Sequence, residues 1–322
     1  MKGLTDIAGI RVGHATDFEA LTGVTVILTE AGAVAGADIR GSATGTQEFD
    51  VMSPLHVADV VHGIVLAGGS AFGLEAASGV RRYLEARGVG FDTSAARVPI
   101  VPGGIIYDLA IGKAHIRPTR EMGEAAANAA TNGPVAEGAV GVGVGATVGK
   151  IFGMPRAMKS GLGTFTVALG GRYAGVLVSA LVVVNAFGDV RDPATGKIVA
   201  GARVGPKSME FADTVAALKK GPSAGLSREN TTLAVVATNA KLTKVQATKV
   251  AQLAQHGMVR TISPVHTMFD GDFVIALSLG VAQADVNAVG VAAAEALENA
   301  ILRAVRLAPT MGGIPGLAGK TR

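Results

Sequence analysis

The chain has 322 residues, of which 49% are hydrophobic and 17% are charged, and its formal net charge is +4. It contains no cysteine, which excludes disulfides, zinc–thiolate sites, iron–sulfur clusters and a cysteine nucleophile. The small net charge, without any run of five basic residues, gives nucleic-acid binding little support.

The low content of charged residues also bears on assembly and location. A surface poor in charge indicates that other copies of the chain cover part of it, so we expect a homo-oligomer. The first 14 residues contain no apolar core of signal-peptide length. The most apolar stretch, 173–188, includes Ser179 and Asn185 and is shorter than the roughly 18–20 residues of a membrane span. We therefore expect a cytoplasmic protein with no membrane partner.

Hydrophobic periodicity and turn residues predict the elements of the first half of the chain. The helix predicted at 70–88 begins at Ser70, a good N-cap residue, and ends at Gly88. Residues 98–112 have the pattern of a strand, a Pro-Gly-Gly turn and a second strand. The other predicted elements are strands at 23–30 and 63–69, a helix at 119–133 and a glycine-rich strand at 139–150.

The second half is predicted to alternate strands and helices. Residues 164–201 show three strands joined by glycine-rich turns, which is typical of antiparallel pairing. Residues 221–229 have the composition of a linker. The other predicted elements are helices at 206–220, 241–257 and 281–308, and strands at 233–238 and 270–280.

These elements predict a mixed α/β (α+β) fold with antiparallel sheet rather than regular βα units. The linker separates the large piece 1–230 from 231–322. The second piece has only about two strands and two helices, which is little for a core of its own. We therefore expect residues 1–322 to form a single domain.

Two glycine-rich motifs fall short of known signatures. In GVGVGATVG (141–149), Val148 stands where a dinucleotide fingerprint needs its third glycine, so we expect a strand near another backbone and no such cofactor. In GGSAF, the nucleophile elbow G-x-S-x-G lacks its last glycine. Ser70 either caps the helix, or it lines a pocket with Gly69 in which backbone amides bind a carbonyl or anion.

The histidines do not indicate a metal site. None of them forms a close pair with the spacing of metal ligands. They are His14, His56, His62, His115, His256 and His266.

Several polar residues lie at the ends of predicted buried strands, and each has two interpretations. Asp270 and Asp272 flank Gly271, which favours a solvated turn, or they direct two carboxylates to one site. Asn185 ends an apolar run, where it caps a turn or donates to a developing oxyanion. Lys150 follows the glycine-rich stretch and is either solvated or a buried group that transfers protons.

The segment NTTLAVVAT (230–238) starts a buried strand directly after an asparagine. The high β-propensity of threonine explains this start without any function. The alternative is that Asn230-Thr231 is a bond that the protein cuts in itself.

Taken in order, the motifs resemble one family. NTTLAVVATNAKLT and HTMFDGDFVIAL, with LAGGSAFGLEAASGV, GVGVGATVGK and LVVVNAFGDVRDPATG before them, are similar to segments of the self-processing N-terminal-nucleophile hydrolases of the L-aminopeptidase/D-Ala-esterase family. That family includes β-peptidyl aminopeptidases and nylon-oligomer (6-aminohexanoate-oligomer) hydrolases. The resemblance covers nearly the whole chain, and the Asn-Thr pair is similar to that of the nylon-oligomer branch, whereas the first-described aminopeptidases have Ser.

The resemblance implies a cleavage and a set of site residues. The precursor is cut between Asn230 and Thr231 into 1–230 and 231–322, and Thr231 becomes the N-terminal nucleophile. Its freed α-amine, with a reference pKa of roughly 7.7–8.0, serves as the base. No metal or organic cofactor is implied. The family's oxyanion-binding Asn, active-site Lys, paired acidic residues and pocket Tyr fall on Asn185, Lys150, Asp270, Asp272 and Tyr107.

The resemblance also implies a fold and a function. The fold is a four-layer α-β-β-α sandwich with two central, largely antiparallel sheets, shared with the ornithine acetyltransferase type and assembled as tetramers. The implied activity is hydrolysis of short peptides or related amides through an acyl-enzyme. Acyl transfer to an amine and an unprocessed, non-catalytic small-molecule binder are the alternatives. The sequence does not choose among α-peptides, β-peptides, D-amino-acid amides or esters, and nylon oligomers.

Overall fold

A computed structural model of the chain describes residues 1–221 and 230–319. The predicted linker therefore lies outside the described residues, apart from Gly221. No helix in these two ranges is both long and apolar enough to cross a membrane. The described α-helices are α1 (Ala76–Glu85), α2 (Arg120–Asn128), α3 (Thr214–Lys219), α4 (Lys244–Thr261) and α5 (Val286–Arg306).

Strands in the described ranges vary from two to eighteen residues. They are β1 (Arg11–Asp17), β2 (Thr22–Ile39), β3 (Thr46–Gln47), β4 (Val61–Ala67), β5 (Phe91–Asp92), β6 (Arg97–Val98), β7 (Gly103–Ile105), β8 (Thr147–Val148), β9 (Met158–Lys159), β10 (Leu162–Ala168), β11 (Leu177–Asn185), β12 (Asp189–Arg191), β13 (Ile198–Ala200), β14 (Thr231–Ala240), β15 (Ile262–Ser263) and β16 (Phe273–Ala282).

The two expected sheets are continuous through β2. The hydrogen-bonded order is β10-β11-β14-β16-β2-β4-β7-β3, with β1 also paired to β2. Residues 22–28 of β2 pair with β1 and β4, whereas residues 34–39 pair with β16. Along this path β14–β16 and β4–β7 are parallel and the other pairs are antiparallel. The sheets are thus largely antiparallel, as predicted, and one long strand joins them.

Alternating side chains divide most of the interior of the described residues into three large hydrophobic clusters. On β14, Val236 packs in a cluster with residues of α4 and α5, and its neighbour Val235 packs in the cluster between the sheets. On β2, Ile27 belongs to that same central cluster, and Val26 packs with residues of α1 and α2. Successive side chains of each strand thus enter different clusters on opposite faces of the sheet, as in strands that are buried on both faces. The clusters give the layer order α-β-β-α.

Some predicted elements differ from the structure. Residues 141–145 form a 3-10 turn rather than a strand, since the glycines let backbones meet: a Cβ on Gly143 would lie 2.5 Å from Leu162 N. Helix α3 is shorter than the predicted 206–220 because the Asp213 side chain caps it at Thr214. The predicted helix at 70–88 opens as a 3-10 turn, and Ser70, with a φ of 54°, makes no cap hydrogen bond there.

Close contact between α5 and its sheet depends on small residues. Gly163 of β10 faces the Ala-rich helix, and a Cβ at Gly163 would lie 2.1 Å from Ala300 O and 2.6 Å from Ala304 N. These are backbone atoms, so a side chain at 163 requires the helix to move. The low aromatic content of the chain fits this close packing.

Gly163→Ala should lower the free energy of unfolding by about 2–3 kcal/mol, because it overpacks the β10–α5 contact. Gly170→Ala is the matched control, since a Cβ at that loop position meets no atom within 4 Å. Urea denaturation measures both variants. Equal stability of the two would contradict the account of this contact.

Candidate active site

Strand β14 begins at Thr231, between β11 on one side and β16 on the other. Thr231 is paired with Asn185 of β11, and Asn230 forms a parallel bridge with Asp270 just before β16. Asn230 and Thr231 are only 1% and 2% exposed. The Asn230–Thr231 bond therefore lies inside the protein, beside the predicted site residues Asn185 and Asp270.

The carbonyl of Asn230 accepts two hydrogen bonds. Gly271 N–H donates to it at 2.8 Å, and the Thr231 hydroxyl donates to it at 2.5 Å. On the other side, Asn230 N–H donates to Phe269 O at 3.1 Å. Two donors draw electron density from the carbonyl and favour a negative charge on its oxygen. The Thr231 hydroxyl thus contacts a polarised carbonyl group immediately before it in the chain.

The carboxylate of Asp272 links the start of β14 to the loop before β16. Its Oδ1 accepts the Thr232 N–H at 2.7 Å. Its Oδ2 accepts the backbone N–H of His266 at 3.1 Å and contacts the His266 Nδ1 at 3.0 Å. Asp272 is 1% exposed, so these protein groups, rather than solvent, surround its carboxylate.

Asp270 is equally buried but has different partners. Its Oδ1 accepts Phe187 N–H at 3.0 Å, and its Oδ2 accepts the Thr267 hydroxyl at 2.6 Å and the Thr267 N–H at 3.3 Å. Burial and, after it, the Asp272 charge raise the pKa of Asp270 to about 6, whereas Thr267, Phe187 and Lys150 oppose the shift. The pair therefore gains its second charge close to neutral pH.

Asn185 is fully buried at the end of β11 and has a defined amide orientation. Its Oδ1 accepts from Lys150 Nζ at 2.7 Å and from Thr147 N–H at 3.1 Å. Its Nδ2 donates to Tyr107 O at 3.0 Å. Lys150 Nζ also donates to the Asn185 carbonyl at 2.9 Å. The predicted Asn, Lys and Tyr thus form one network.

A cavity of about 50 Å³ adjoins this network. Lys150 and Tyr107 line it, and their contact with a substrate stays a prediction. Its walls are mostly apolar. The lining residues are Tyr107, Asp108, Ala110, Ile111, Gly145, Thr147, Lys150, Gly153 and Met154.

Two further charged side chains, Lys159 and Asp108, are buried near this cavity, and the sequence pattern did not indicate them. Lys159 is 0% exposed, and its Nζ donates to Ala146 O at 2.8 Å and Ser160 O at 2.9 Å. Burial and the nearby Lys150 charge lower the pKa of Lys159 to about 7, and the Asp108 charge opposes this shift. Burial also raises the pKa of the Asp108 carboxyl. The electrostatic field at the cavity wall comes from both groups.

The amides of Gly69 and Ser70 already have protein acceptors. Gly69 N–H donates to Asp108 Oδ1 at 2.7 Å, and Ser70 N–H donates to Ile106 O at 3.0 Å. Their role in substrate binding stays a prediction. In the described ranges, no group of three or more His, Asp or Glu side chains is placed to hold a metal ion.

Sequence reasoning missed four groups that hold the site. The Gly271 amide and the Thr147 N–H are backbone donors, which no residue type reveals. His266 and Thr267 lie three to four residues before Asp270 in HTMFDGD, and this proximity was the available signal. Their roles depend on a turn in which His266 has a φ of 56°.

The raised pKa of Asp270 predicts a pH-dependent effect of Asp270→Asn, best measured in a Thr231→Ala chain that stays in one piece. The folded state binds a proton more tightly than the unfolded state, so this stabilisation is complete below pH about 4 and is lost as pH rises through about 6. The free energy of unfolding of the Asn variant, relative to that of its parent, should therefore rise by about 2–3 kcal/mol between pH 4 and pH 7. A difference in urea-unfolding free energy that does not change with pH would contradict this.

The chain is similar to known proteins over nearly its whole length. Residues 2–318 match Peptidase family S58. An uncharacterized aminopeptidase of Mycobacterium leprae is 41% identical, with 99% of this chain and 94% of the relative covered. The 6-aminohexanoate-oligomer endohydrolase of a Kocuria species is 31% identical, with 94% of this chain and 85% of the relative covered.

Solved structures show the same fold. The L-aminopeptidase D-Ala-esterase/amidase of Ochrobactrum anthropi, described as a variant of the Ntn hydrolase fold, superposes with a TM-score of 0.75 at 21% identity. It covers 98% of this chain, which covers 88% of that structure. A Burkholderia β-aminopeptidase gives a TM-score of 0.71 at 23% identity, with coverage of 98% and 91%.

These matches confirm the resemblance found in the motifs, and they agree with the mixed α/β fold. The curated relatives align with nearly the whole chain rather than with a single motif. The protein is a hydrolase of amide bonds, and it belongs to Peptidase family S58.

Proposed function

We propose that the chain cuts itself between Asn230 and Thr231 and that Thr231 then serves as the nucleophile of an aminopeptidase-type amidohydrolase. The observation that carries this proposal is the Thr231 hydroxyl, which lies 2.5 Å from the Asn230 carbonyl oxygen. The same oxygen accepts the Gly271 N–H at 2.8 Å. A nucleophile, its target carbonyl and an oxyanion donor are therefore assembled in the uncut chain.

Self-cleavage follows from these contacts by an N→O acyl shift. Thr231 Oγ1 gives up its proton as it attacks the carbonyl carbon of Asn230, and the negative charge develops on the oxygen that faces Gly271 N–H. The C–N bond breaks as the Thr231 nitrogen takes up one proton, which balances the one lost by Oγ1 and leaves an ester between the two residues. Water then hydrolyses the ester to the Asn230 carboxylate and the free hydroxyl of Thr231.

After cleavage, the site has the groups that the amide hydrolysis needs. The α-amine of Thr231 has a reference pKa of roughly 7.7–8.0 and can take the hydroxyl proton near neutral pH. Asp272 holds the next peptide through Thr232 N–H. Asn185 supplies an amide for the substrate oxyanion, Lys150 biases the local charge and assists proton transfer, and Tyr107 contacts the substrate.

The proposed substrates are short peptides or peptide-like amides that enter from the cavity beside Lys150 and Tyr107. Curated relatives with at least 30% identity are an aminopeptidase by name and an endohydrolase of 6-aminohexanoate oligomers. Both names describe cleavage of linear amides. A small, mostly apolar cavity fits an aliphatic acyl group of either kind.

The pieces 1–230 and 231–322 would remain one domain after the cut. Strand β14 of the smaller piece lies between β11 of the larger piece and β16, and β16 pairs with β2 of the larger piece. Separating the pieces would break these ladders. We further propose that processed heterodimers assemble into a homotetramer and that the protein is cytoplasmic. The low content of charged residues and exposed apolar residues such as Val259 and Val291 support the assembly.

Thr231→Ala should leave the chain in one piece, because it removes the only atom proposed to attack Asn230. Cleavage should slow by at least about a thousandfold, as measured by mass spectrometry under denaturing conditions. Thr232→Val is the matched control, since it removes a neighbouring buried hydroxyl that has no hydrogen-bond partner in the described ranges. It should still yield the two pieces.

If Thr231→Ala is still split after Asn230, an outside protease makes the cut. If the unaltered chain never splits, the proposed self-processing is wrong.

Processed protein should hydrolyse members of a panel of aminoacyl p-nitroanilides, β-aminoacyl amides and 6-aminohexanoate oligomers, and the uncut Thr231→Ala chain should not. Water should accept the acyl group from the enzyme, because the family that the chain resembles and its relatives are hydrolases. Mass analysis with ornithine present tests this. Acyl-ornithine as the main product would support the acyltransferase alternative, and ligand binding without any turnover would support the non-catalytic one.

A further inference from the structure

His266 makes an unusual double contact with Asp272. Its backbone N–H and its ring Nδ1 both lie on the same oxygen, Oδ2, at 3.1 and 3.0 Å. The backbone of His266 has a φ of 56°, in the left-handed region that non-glycine residues seldom adopt. The other oxygen of Asp272 accepts Thr232 N–H. One carboxylate therefore connects His266 to the residue that follows the proposed nucleophile.

The surroundings of the His266 ring indicate where its proton lies. The side chain is 13% exposed, and Nε2 is buried without a hydrogen-bond partner in the described ranges. An ionised carboxylate only accepts hydrogen bonds, so the ring nitrogen facing Asp272 must carry a hydrogen. In the neutral ring, Nδ1 then holds the proton and Nε2 holds a lone pair.

These contacts make the two aspartates unequal. Asp272 accepts three N–H groups, whereas one of the three donors to Asp270 is the Thr267 hydroxyl, which can also accept a hydrogen bond from a protonated carboxyl. Two buried carboxylates that repel each other do not both ionise readily, so a shared proton goes to the one less supported as an anion. Burial and the neighbouring charge raise the pKa of Asp270 to about 6, in the same sense.

Other charged groups around the pair do not reverse this difference. Lys150 acts on Asp270 and opposes the rise in its pKa. Arg40 donates its backbone N–H to the Asp272 carbonyl, but its guanidinium pairs with Asp38. The ring and amide of His266 are therefore what distinguishes Asp272 from Asp270.

We propose that His266 is a positioning residue for the self-cleavage: its two donors keep Asp272 ionised and aimed at the Thr232 amide, which leaves Asp270 as the carboxyl group that carries the pair's proton. This inference rests on the proposed function. Asp272 then fixes the peptide group after the nucleophile, and Asp270 is the member of the pair able to give a proton.

Two variants separate the hydrogen bond from the backbone conformation. Asparagine tolerates a positive φ and offers a side-chain N–H, whereas glycine tolerates the φ and offers none. His266→Asn should cleave within about threefold of the unaltered chain and with the same pH midpoint. His266→Gly should cleave at least about tenfold more slowly, and the acid limb of its rate–pH profile should move to higher pH, because Asp272 loses a donor that favours its charge.

The proposal is overturned if both variants keep the rate and pH midpoint of the unaltered chain, or if both slow equally without a shift in midpoint. If the unaltered chain does not cleave, that separate result contradicts the proposed function itself.

A second measurement does not need cleavage. Long-range ¹H–¹⁵N spectra of the uncut Thr231→Ala chain, with His266→Asn used to assign the signal, report which ring nitrogen carries the proton. Nδ1 should carry a proton. A ring nitrogen Nδ1 without a proton would contradict the role given to His266, whatever the cleavage rates are.

Discussion

The site depends on one short turn, Asp270–Asp272, packed against the first residues of β14. Gly271 N–H holds the Asn230 carbonyl, and the Asp272 carboxylate holds Thr232 N–H. These bonds fix the peptide groups on both sides of Thr231. The parallel ladder between β14 and β16 continues from this point, so the sheet itself determines where the Thr231 hydroxyl lies. The proposed nucleophile, on a buried central strand, has far less freedom than a side chain on a loop.

The surrounding charges are unusual because so many are buried together. Lys150, Lys159, Asp108, Asp270 and Asp272 are each at most 6% exposed. Burying a charge is costly unless hydrogen bonds and opposite charges compensate, and here backbone amides and carbonyls supply most of the compensation. One consequence is that Asp270 and Lys159 have pKa values of about 6 and about 7. Small changes in the site can therefore move protons at neutral pH, which suits a proton-transfer reaction.

The sequence predicted much of the fold and the composition of the site, because strands and helices have clear periodicities and the motifs occur in a family order. It could not predict the turn around His266, since a positive φ at a non-glycine residue arises from tertiary contacts. It also could not show that Lys159 is buried, because nothing in the sequence reveals how closely the backbone segments approach one another at nearby glycines such as Gly143 and Gly161. The same cause made the 141–145 segment a 3-10 turn instead of a strand. The Gly271 amide is a backbone group and has no signature.

The central claim is that cleavage passes through an ester between Asn230 and Thr231. Hydroxylamine tests this most directly, because it attacks esters but not ordinary peptide bonds. If purified precursor is allowed to cleave in hydroxylamine, mass spectrometry of the larger piece should find a hydroxamate at Asn230 in place of the carboxylate. A larger piece that ends only in the carboxylate, at every hydroxylamine concentration, would contradict the acyl shift and with it the assignment of Thr231 as the nucleophile.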